Sequence, residues 1–329
     1  MKNHHVAVVI LNYNSEKDLQ ICAEQISKQE GVHLSTILVD NASRTDSLQA
    51  IKSWLIDWRP DAVSGPENEV QSWVRQHQGE SRKNNTVYLI ENHENRGYSA
   101  GNNIGIRLAN TLGANAVLIA NPDMRIVDRN YLRELTVNMF SDPHCYVAGS
   151  RILSQDGVDQ NPLREASFLE EFFWPRCLFR RFGVQKSYVI PCPIDKSSVA
   201  PKVSGCCLML RMDFLRDIGF LDEGVFLYCE EPILVSMVHR KNGKILYVPS
   251  AIAIHAHVKS EKGDSTKRML QFIRSRKYYL YTYAGYQKWQ LWLLSISYKT
   301  LALYSISKGL ITRAKTHLLV LRKFTSKIP

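Results

Sequence analysis

The sequence predicts an α/β fold with a doubly wound, mostly parallel β-sheet, followed by a helical C-terminal extension. Four apolar runs of five or six residues recur within the first 120 residues, and helical segments lie between them. Unbroken apolar runs rich in β-branched residues are typical of strands that helices cover on both faces. Strands that alternate with helices predict crossover connections and therefore parallel pairing.

The N-terminal elements follow this pattern in order. The predicted strands are residues 6–11, 35–39, 86–90 and 116–120. The predicted helices are residues 16–29, 45–58 and 100–112. Residues 59–85 are polar and rich in Pro, Gly, Asn and Gln, so we expect a surface insertion there, with a helical piece near 67–77.

The second half of the chain is less regular. A helix near 129–141 and a strand near 145–149 precede an irregular stretch over 154–202. Further strands are predicted at 203–210 and 246–254, and after residue 266 the chain turns helical, basic and aromatic. These patterns predict one large domain over residues 1–265 and a separate C-terminal region over 266–329.

Charge is distributed unevenly along the chain. The net charge is +11, but residues 256–329 hold 15 Lys/Arg and 2 Asp/Glu, which leaves 27 and 29 (net −2) for the rest. A basic segment can meet anionic lipid, nucleic acid or a phosphorylated substrate. No nucleic-acid motif accompanies the charge, so we expect no nucleic-acid partner. Residues 289–306 are apolar apart from Lys299, which suits either a helix at a membrane interface or one packed on the domain.

The cysteines and the N-terminus bear on location. The seven cysteines form no CxxC pair, and the N-terminal residues do not form an export signal. No apolar run reaches the roughly 18–20 residues needed to span a bilayer. With the basic extension, these features predict a cytoplasmic protein, peripheral on the inner face of the cell membrane.

Polar side chains follow the ends of the predicted strands. Because ligands of doubly wound sheets bind at the carboxyl ends of the strands, these side chains are candidates for a binding site. The alternative is that each one caps the turn or helix that follows. The candidates at the first, second and fourth strands are Asn12, Tyr13, Asp40, Asn41, Asn121 and Asp123.

A glycine-rich segment follows the third strand and opens a helix. It contains Arg96, Gly97, Gly101 and Asn102. Glycines allow the backbone to approach a ligand closely, and a helix N-terminus offers free N–H groups to a phosphate. Arg96 would add a fixed positive charge.

Three acidic residues and a pair of histidines are candidates for chemistry. Asp123 could hold Mg²⁺ or Mn²⁺ through one oxygen, with diphosphate oxygens as further ligands. His255, with His257 beside it, could complete that site. Glu230 and Glu231 lie in an apolar setting, where one could act as a general base; the alternative is an acidic pair at a helix start.

Six segments, in this order, resemble the inverting glycosyltransferases of family 2, which have the GT-A fold with a Rossmann-like nucleotide-binding half. They are VAVVILNYN, ILVDNASRTDS, ENRGYSAGNNIGI, VLIANPD, GFLDEGVFLYCEE and YVPSAIAIHAHVKS, within residues 6–260. The resemblance is greatest to bacterial rhamnosyltransferase-like members that build cell-surface polysaccharide such as O-antigen. It implies a nucleoside-diphosphate sugar as donor and a saccharide or lipid-linked saccharide as acceptor.

The resemblance also implies roles for single residues. Asn12 and Tyr13 would lie near the nucleotide, and Asp40, with Asn41 beside it, near the base or ribose. Arg96, Gly97, Gly101 and Asn102 would border the diphosphate and donor sugar. Asn121 and Asp123 would form the variant of the Asp-X-Asp metal motif, His255 would match the family's histidine with Ser260 in register, and Glu231 the presumed base.

The chain departs from the family pattern after the acidic pair. Glu231 stands where the family usually has Asp, and Pro232 follows it. The added methylene moves a base by about 1 Å, which can lower a rate. An alternative hypothesis is therefore a non-catalytic nucleotide-sugar-binding relative that acts as a scaffold in polysaccharide assembly. A sugar-nucleotide pyrophosphorylase fits less well, because no glycine follows the first strand in LNYNSEKDL.

Overall fold

The computed structural model describes residues 4–81, 83–175, 187–256 and 264–325, without the side chains of residues 80, 81 and 312–325. The chain forms two compact units. The first, here called the sheet unit, comprises Met1–Glu165, Ser187–Phe226 and Glu230–His257. The second, here called the helical unit, comprises Ala166–Lys186, Leu227–Cys229 and Val258–Pro329.

The sheet unit is built on a ten-stranded sheet. The strands are β1 His5–Asn12, β2 His33–Asn41, β3 Val63–Pro66, β4 Thr86–Asn92, β5 Ala116–Ala120, β6 Met124–Arg125, β7 Cys145–Ser154, β8 Ser198–Val199, β9 Cys207–Arg211 and β10 Lys244–His255. The helices of this unit are α1 Glu16–Ile26, α2 Thr45–Trp58, α3 Glu67–Gln76, α4 Gln78–Ser81, α5 Tyr98–Thr111, α6 Tyr131–Phe140, α8 Met212–Ile218 and α9 Glu230–Arg240.

The strand order is β3-β4-β2-β1-β5-β9-β7-β10-β6, and β8 pairs with β10. β1 pairs in parallel with β2 and β5, and β4 pairs in parallel with β2 and β3. β9 runs antiparallel between β5 and β7. The prediction of a mostly parallel α/β sheet is therefore confirmed; β9 is an antiparallel strand inserted beside β5, and the short strands β6 and β8 pair antiparallel with β10.

The register of the parallel strands aligns their carboxyl ends. Asn12 of β1 pairs with Asp40 of β2, and Asp40 pairs with Glu91 of β4. The side chains that follow these strands therefore meet at one edge of the sheet.

Helices cover both faces of the sheet, as the unbroken apolar runs predict. Alternate residues of β1 enter two separate cores: Val6, Val8 and Ile10 face one layer, and Ala7 and Val9 face the other. All five side chains are fully buried. Complete burial of a Val or Ile contributes about 1.5–3 kcal/mol, so both layers anchor the strand that carries Asn12.

Residues 59–85 contain a strand that the sequence does not predict. β3 adds to the edge of the sheet in parallel with β4, and Val70 and Val74 of α3 are buried against it. The strand is only four residues long and includes Gly65 and Pro66, so it lacks the apolar run that marks the other parallel strands. The expected helical piece at 67–77 corresponds to α3.

The helical unit contains α7 Phe168–Phe172, α10 Ser265–Thr282 and α11 Lys288–Thr325. A capping box starts α7, in which the Ser167 hydroxyl accepts from the Glu170 N–H and the Glu170 carboxylate accepts from the Ser167 N–H. The Glu171 carboxylate is buried and accepts hydrogen bonds from Arg276 of α10 and Tyr298 of α11. Within the described ranges, no helix has both the length and the apolar content needed to cross a bilayer.

Candidate active site

Asp40 is the centre of a buried polar cluster at the carboxyl ends of β1 and β2. Its side chain is 1% exposed. One carboxylate oxygen accepts from Asn12 Nδ2 at 2.9 Å, and the other accepts from the Ser43 N–H at 3.1 Å. Asn12 also donates to Ser43 Oγ at 3.1 Å. These contacts fix the carboxylate at the sheet edge and at the same time cap the turn after β2.

Tyr13 and Asn41 are neighbours of this cluster in sequence but differ in exposure. Tyr13 is 54% exposed at the end of β1. Asn41 is buried, accepts from Asn92 Nδ2 at 3.0 Å and donates to Asn95 Oδ1 at 3.1 Å. Asn41 therefore holds the segment that leads into α5, whereas the Tyr13 ring is accessible to a ligand.

The glycine-rich segment forms the N-terminus of α5, as predicted. Gly97 has φ +105°, and a Cβ there would lie 2.3 Å from the Phe226 carbonyl oxygen. That carbonyl accepts from the Tyr98 N–H at 2.8 Å. A Cβ on Gly101 would lie 2.6 Å from Leu11 of β1. The two glycines thus permit close approach of α5 to the 219–226 loop and to the sheet.

Arg96 and Asn102 take different positions around this helix. Arg96 is largely exposed and forms an ion pair with Glu223 at 3.0 Å. Asn102 is fully buried inside α5, where its amide donates to the Tyr98 carbonyl at 3.0 Å. Arg96 is therefore accessible to an anion, while Asn102 faces the protein interior.

A chain of hydrogen bonds joins Asn121 to Glu231. The Tyr98 hydroxyl lies 3.0 Å from Asn121 Oδ1 and 2.8 Å from the Gly205 carbonyl oxygen, and it donates to this pair of acceptors. The Gly205 N–H donates to Glu231 Oε1 at 3.1 Å. Burial, and after it the nearby Cys206 and Glu230, raise the pKa of Tyr98 well above its usual value, so the hydroxyl stays protonated.

Glu230 and Glu231 begin α9 and line an apolar pocket. Tyr98, Ile233 and Leu234 contribute other walls of this pocket. Carboxylates beside apolar walls are costly to bury unless they are hydrogen-bonded, and Glu231 receives such a bond from Gly205. Pro232 occupies the first turn of α9, where the N–H groups have no intrahelical partner, so the proline does not break the helix.

Asp123 and His255 form a second pair at the same edge. Asp123 Oδ2 lies 3.2 Å from His255 Nε2. The pairing of β6 with β10 brings them together, since Met124 lies opposite His255 and the Ala256 N–H donates to the Asp123 carbonyl at 2.8 Å. Asp123 follows Asn121 in the turn after β5, so this pair lies beside the Tyr98 network.

Gln160 holds the other nitrogen of the His255 ring. Nδ1 lies 2.9 Å from Gln160 Oε1, while Nε2 faces the Asp123 carboxylate. A neutral imidazole can ligate a cation through Nε2 when its Nδ1–H donates to such an oxygen, so the pair could hold a cation between its two side chains.

The described residues contain no group of three or more His, Cys, Asp or Glu side chains that could hold a metal ion. A cation at Asp123 and His255 would therefore need ligands from elsewhere, such as diphosphate oxygens. His257 and Ser260, which the sequence also singles out, lie outside the described residues.

Three contributors to this site were not predicted from the sequence as functional residues. Tyr98, Gly205 and Gln160 make their contacts with partners far away in the chain, for example 107 residues between Tyr98 and Gly205. The only signal in the sequence is the position of Tyr98 within the glycine-rich segment.

The chain is similar in sequence to a known hexosyltransferase, although no family model matches it. It is 26% identical over 253 residues to the low-salt glycan biosynthesis hexosyltransferase Agl10 of Haloferax volcanii. The match covers 76% of this chain but 66% of that relative, slightly less than two thirds of its length.

Two solved structures are similar in fold. GalNAc-T7 with UDP, GalNAc and Mn²⁺ aligns with a TM-score of 0.58 at 14% identity, covering 83% of this chain and 48% of that one. The mannosyltransferase PcManGT from Pyrobaculum calidifontis, in complex with GDP-Man and Mn²⁺, aligns with a TM-score of 0.54 at 16% identity, covering 98% of this chain and 83% of that one. These likenesses show that the chain has a GT-A-like glycosyltransferase fold.

Proposed function

We propose that the chain is a glycosyltransferase that moves a hexose from a nucleoside-diphosphate donor to a saccharide or lipid-linked saccharide acceptor. One observation carries this proposal. The Asp40 cluster, the N-terminus of α5 and the Asp123–His255 pair all lie at the carboxyl ends of β1, β2, β4 and β5. Ligands bind at this edge in doubly wound sheets.

The donor nucleotide would bind at the end of β1 and β2. The buried Asp40 carboxylate is held by Asn12 and Ser43, and the neighbouring Tyr13 ring is exposed and can stack on a base. The diphosphate would lie near the N-terminus of α5, where the positive end of the helix dipole and the exposed Arg96, which pairs with Glu223, offer positive potential. Gly97 and Gly101 shape this end of the helix.

Asp123 and His255 would hold a divalent cation. The donor set fits, because a carboxylate and an imidazole acceptor face each other at 3.2 Å and can share one ion. Carboxylate and imidazole together suit Mn²⁺, while Mg²⁺ would rely more on diphosphate oxygens and water. When bound, the ion would neutralise charge on the departing nucleoside diphosphate. The relatives with UDP or GDP-Man bind Mn²⁺, which supports this assignment.

Glu231 would act as the general base, with Glu230 as the other acidic side chain of the site. The Glu231 carboxylate would take the proton of the acceptor hydroxyl while the hydroxyl oxygen attacks the anomeric carbon. The bond from the anomeric carbon to the diphosphate oxygen breaks in the same step, and the nucleoside diphosphate leaves. Attack from the face opposite the leaving group inverts the anomeric configuration.

The biological role and the transferred sugar are inferred from two similarities. One is the resemblance to family 2, and the other is the similarity to the glycan biosynthesis hexosyltransferase of Haloferax volcanii. We infer a role in assembling a cell-surface polysaccharide such as O-antigen, with rhamnose or another hexose as the transferred sugar. In this scheme the donor would bind from the cytoplasm, and the lipid-linked acceptor would be presented at the inner face of the membrane.

The test is release of free nucleoside diphosphate from a panel of UDP-, GDP- and dTDP-sugars with Mn²⁺ or Mg²⁺. We expect turnover by the wild type, and a loss of about 10²-fold or more in Asp123→Ala and Glu231→Gln. Asp57→Ala and Glu69→Gln are matched controls, because both carboxylates are exposed on helices, α2 and α3, outside the site. Turnover that survives both site substitutions would contradict the assignment.

The second candidate function is a non-catalytic nucleotide-sugar-binding scaffold. The replacement of the family's Asp by Glu231, followed by Pro232, favours it. Pro232 fits the first turn of α9 without breaking the helix, so this departure from the family pattern is weaker support for a scaffold. Donor binding without turnover for any sugar of the panel would support the scaffold instead.

A further inference from the structure

The helix α11 exposes many of its large apolar side chains. Over residues 288–311, one face packs into the helical unit and the opposite face is exposed. The buried positions are Leu294, Ser297, Tyr298, Leu301 and Ser305. Three of these five side chains are hydroxyl-bearing, which is the reverse of an ordinary amphipathic surface helix.

The buried hydroxyls are satisfied inside the helical unit. Ser297 donates to the Phe172 carbonyl at 2.6 Å, Ser305 donates to the Leu301 carbonyl at 2.8 Å, and Tyr298 donates to the Glu171 carboxylate. The inner face of α11 is therefore a specific packing surface. The helix is anchored through it, and its outer face stays uncovered by the described part of the helical unit.

The exposed face carries an apolar stripe that Lys299 interrupts between Ile296 and Leu303. Its members are Trp289, Trp292, Ile296, Leu303, Ile306 and Leu310, between 41% and 65% exposed. At about 100° per residue, these positions fall within one sector about 100° wide, opposite the buried positions. Single exposed apolar residues are normal, but six on one face of a helix, two of them tryptophans, mark a binding surface.

The charge of this segment indicates what the stripe binds. Residues 265–329 contain 13 Lys/Arg and no Asp or Glu. Lys288 and Lys299 are exposed along α11. A second copy of the chain would bring an equally basic segment against the first, so repulsion opposes a dimer through this face. An anionic bilayer attracts the same charge and accepts the apolar stripe.

We propose that the outer face of α11 binds the surface of an anionic membrane. Trp289 and Trp292 would insert at the level of the head groups, where indole rings are favoured. Lys288, at the edge of the stripe, and Lys299, within it, would extend their ammonium groups up to the lipid phosphates. This proposal does not depend on the catalytic assignment, because it concerns only residues of the helical unit.

The test is co-sedimentation of the full chain with vesicles, in the absence of any sugar donor. Vesicles of phosphatidylglycerol and phosphatidylcholine are compared with vesicles of phosphatidylcholine alone, at low and high salt. We expect the chain to bind the anionic vesicles, and we expect high salt to weaken this binding. The double variant Trp292→Glu/Leu303→Glu should lower the partition coefficient about tenfold or more.

Ile56→Glu is the matched control, because Ile56 is 69% exposed on α2 of the sheet unit. It adds one negative charge to the surface outside the helical unit, and we expect it to retain nearly all of the vesicle binding. Wild-type protein that ignores anionic vesicles would overturn the proposal. So would equal losses in both variants, or a dimer in solution that Leu303→Glu dissociates.

Discussion

Gly97 is the position where one added methyl group should have the largest local effect. Its φ of +105° lies in a region that only glycine adopts without strain. A Cβ there would lie 2.3 Å from the Phe226 carbonyl oxygen and 2.7 Å from Phe226 Cα. Both atoms belong to the backbone, so Gly97→Ala must move the 219–226 loop away from α5.

The cost can be worked out from these contacts. The strained backbone costs about 1–3 kcal/mol. Moving Phe226 also lengthens the 2.8 Å bond from the Tyr98 N–H, worth about 0.5–1.5 kcal/mol. We therefore expect Gly97→Ala to lower the free energy of unfolding by about 2–4 kcal/mol. Gly113 is the matched control, since it has φ +80° but a Cβ added there would meet no other side chain or backbone within 4 Å.

Urea unfolding followed by tryptophan fluorescence measures both variants. Gly113→Ala should cost only the backbone strain, about 1–2 kcal/mol. Gly97→Ala should cost about 0.5–1.5 kcal/mol more, the value of the hydrogen bond from the Tyr98 N–H, at an unchanged urea dependence of the free energy. Equal losses in the two variants would refute the reasoning, because they would show that Phe226 is not in close contact with Gly97.

Three further substitutions probe other contacts. Gln160→Ala should weaken Mn²⁺ binding about 10–100-fold, because His255 loses the side chain that orients its ring through Nδ1. Calorimetry measures this affinity, and an unchanged value would show that Gln160 does not orient His255. Glu171→Gln should cost about 3–5 kcal/mol in urea unfolding, since it leaves Arg276 buried without a carboxylate, and a loss below about 1 kcal/mol would speak against the pair. Tyr98→Phe should lower turnover up to about tenfold through loss of one hydrogen bond, and wild-type turnover would show that its hydroxyl does not order the site.

Many residues at the carboxyl edge of the sheet, where the candidate site lies, could be predicted from the sequence because parallel strands share a direction. Apolar runs mark the buried strands, and the first polar residues after each run then fall at one edge. Asn12 and Asp40 are register partners for this reason. The same logic places Asn121 and Asp123 beside them, since β5 pairs in parallel with β1.

The remaining contacts depend on tertiary pairing that has no local signal. Gln160 and His255 are 95 residues apart and meet because β10 pairs in parallel with β7 and the chain after β7 folds back along it, with Asp159 opposite Leu153. The Gly205 contact with Glu231 requires the loop before β9, an antiparallel strand that alternation of strands and helices does not predict. Similarly, the apolar stretch at 289–306 is visible in the sequence, but which of its faces is covered depends on Glu171 and Phe172 of another helix.

The central claim is that Asp123, at the carboxyl edge of the sheet, couples a divalent cation to a nucleoside diphosphate. Calorimetric titration of UDP and GDP, with and without Mn²⁺, tests it directly in the wild type, Asp123→Asn and the control Asp57→Asn, whose carboxylate is exposed on α2. We predict that Mn²⁺ raises the affinity for one of these nucleotides about tenfold or more in the wild type and the control, and that Asp123→Asn abolishes this coupling. Affinity that is independent of Mn²⁺, or coupling that persists in Asp123→Asn, would contradict the claim.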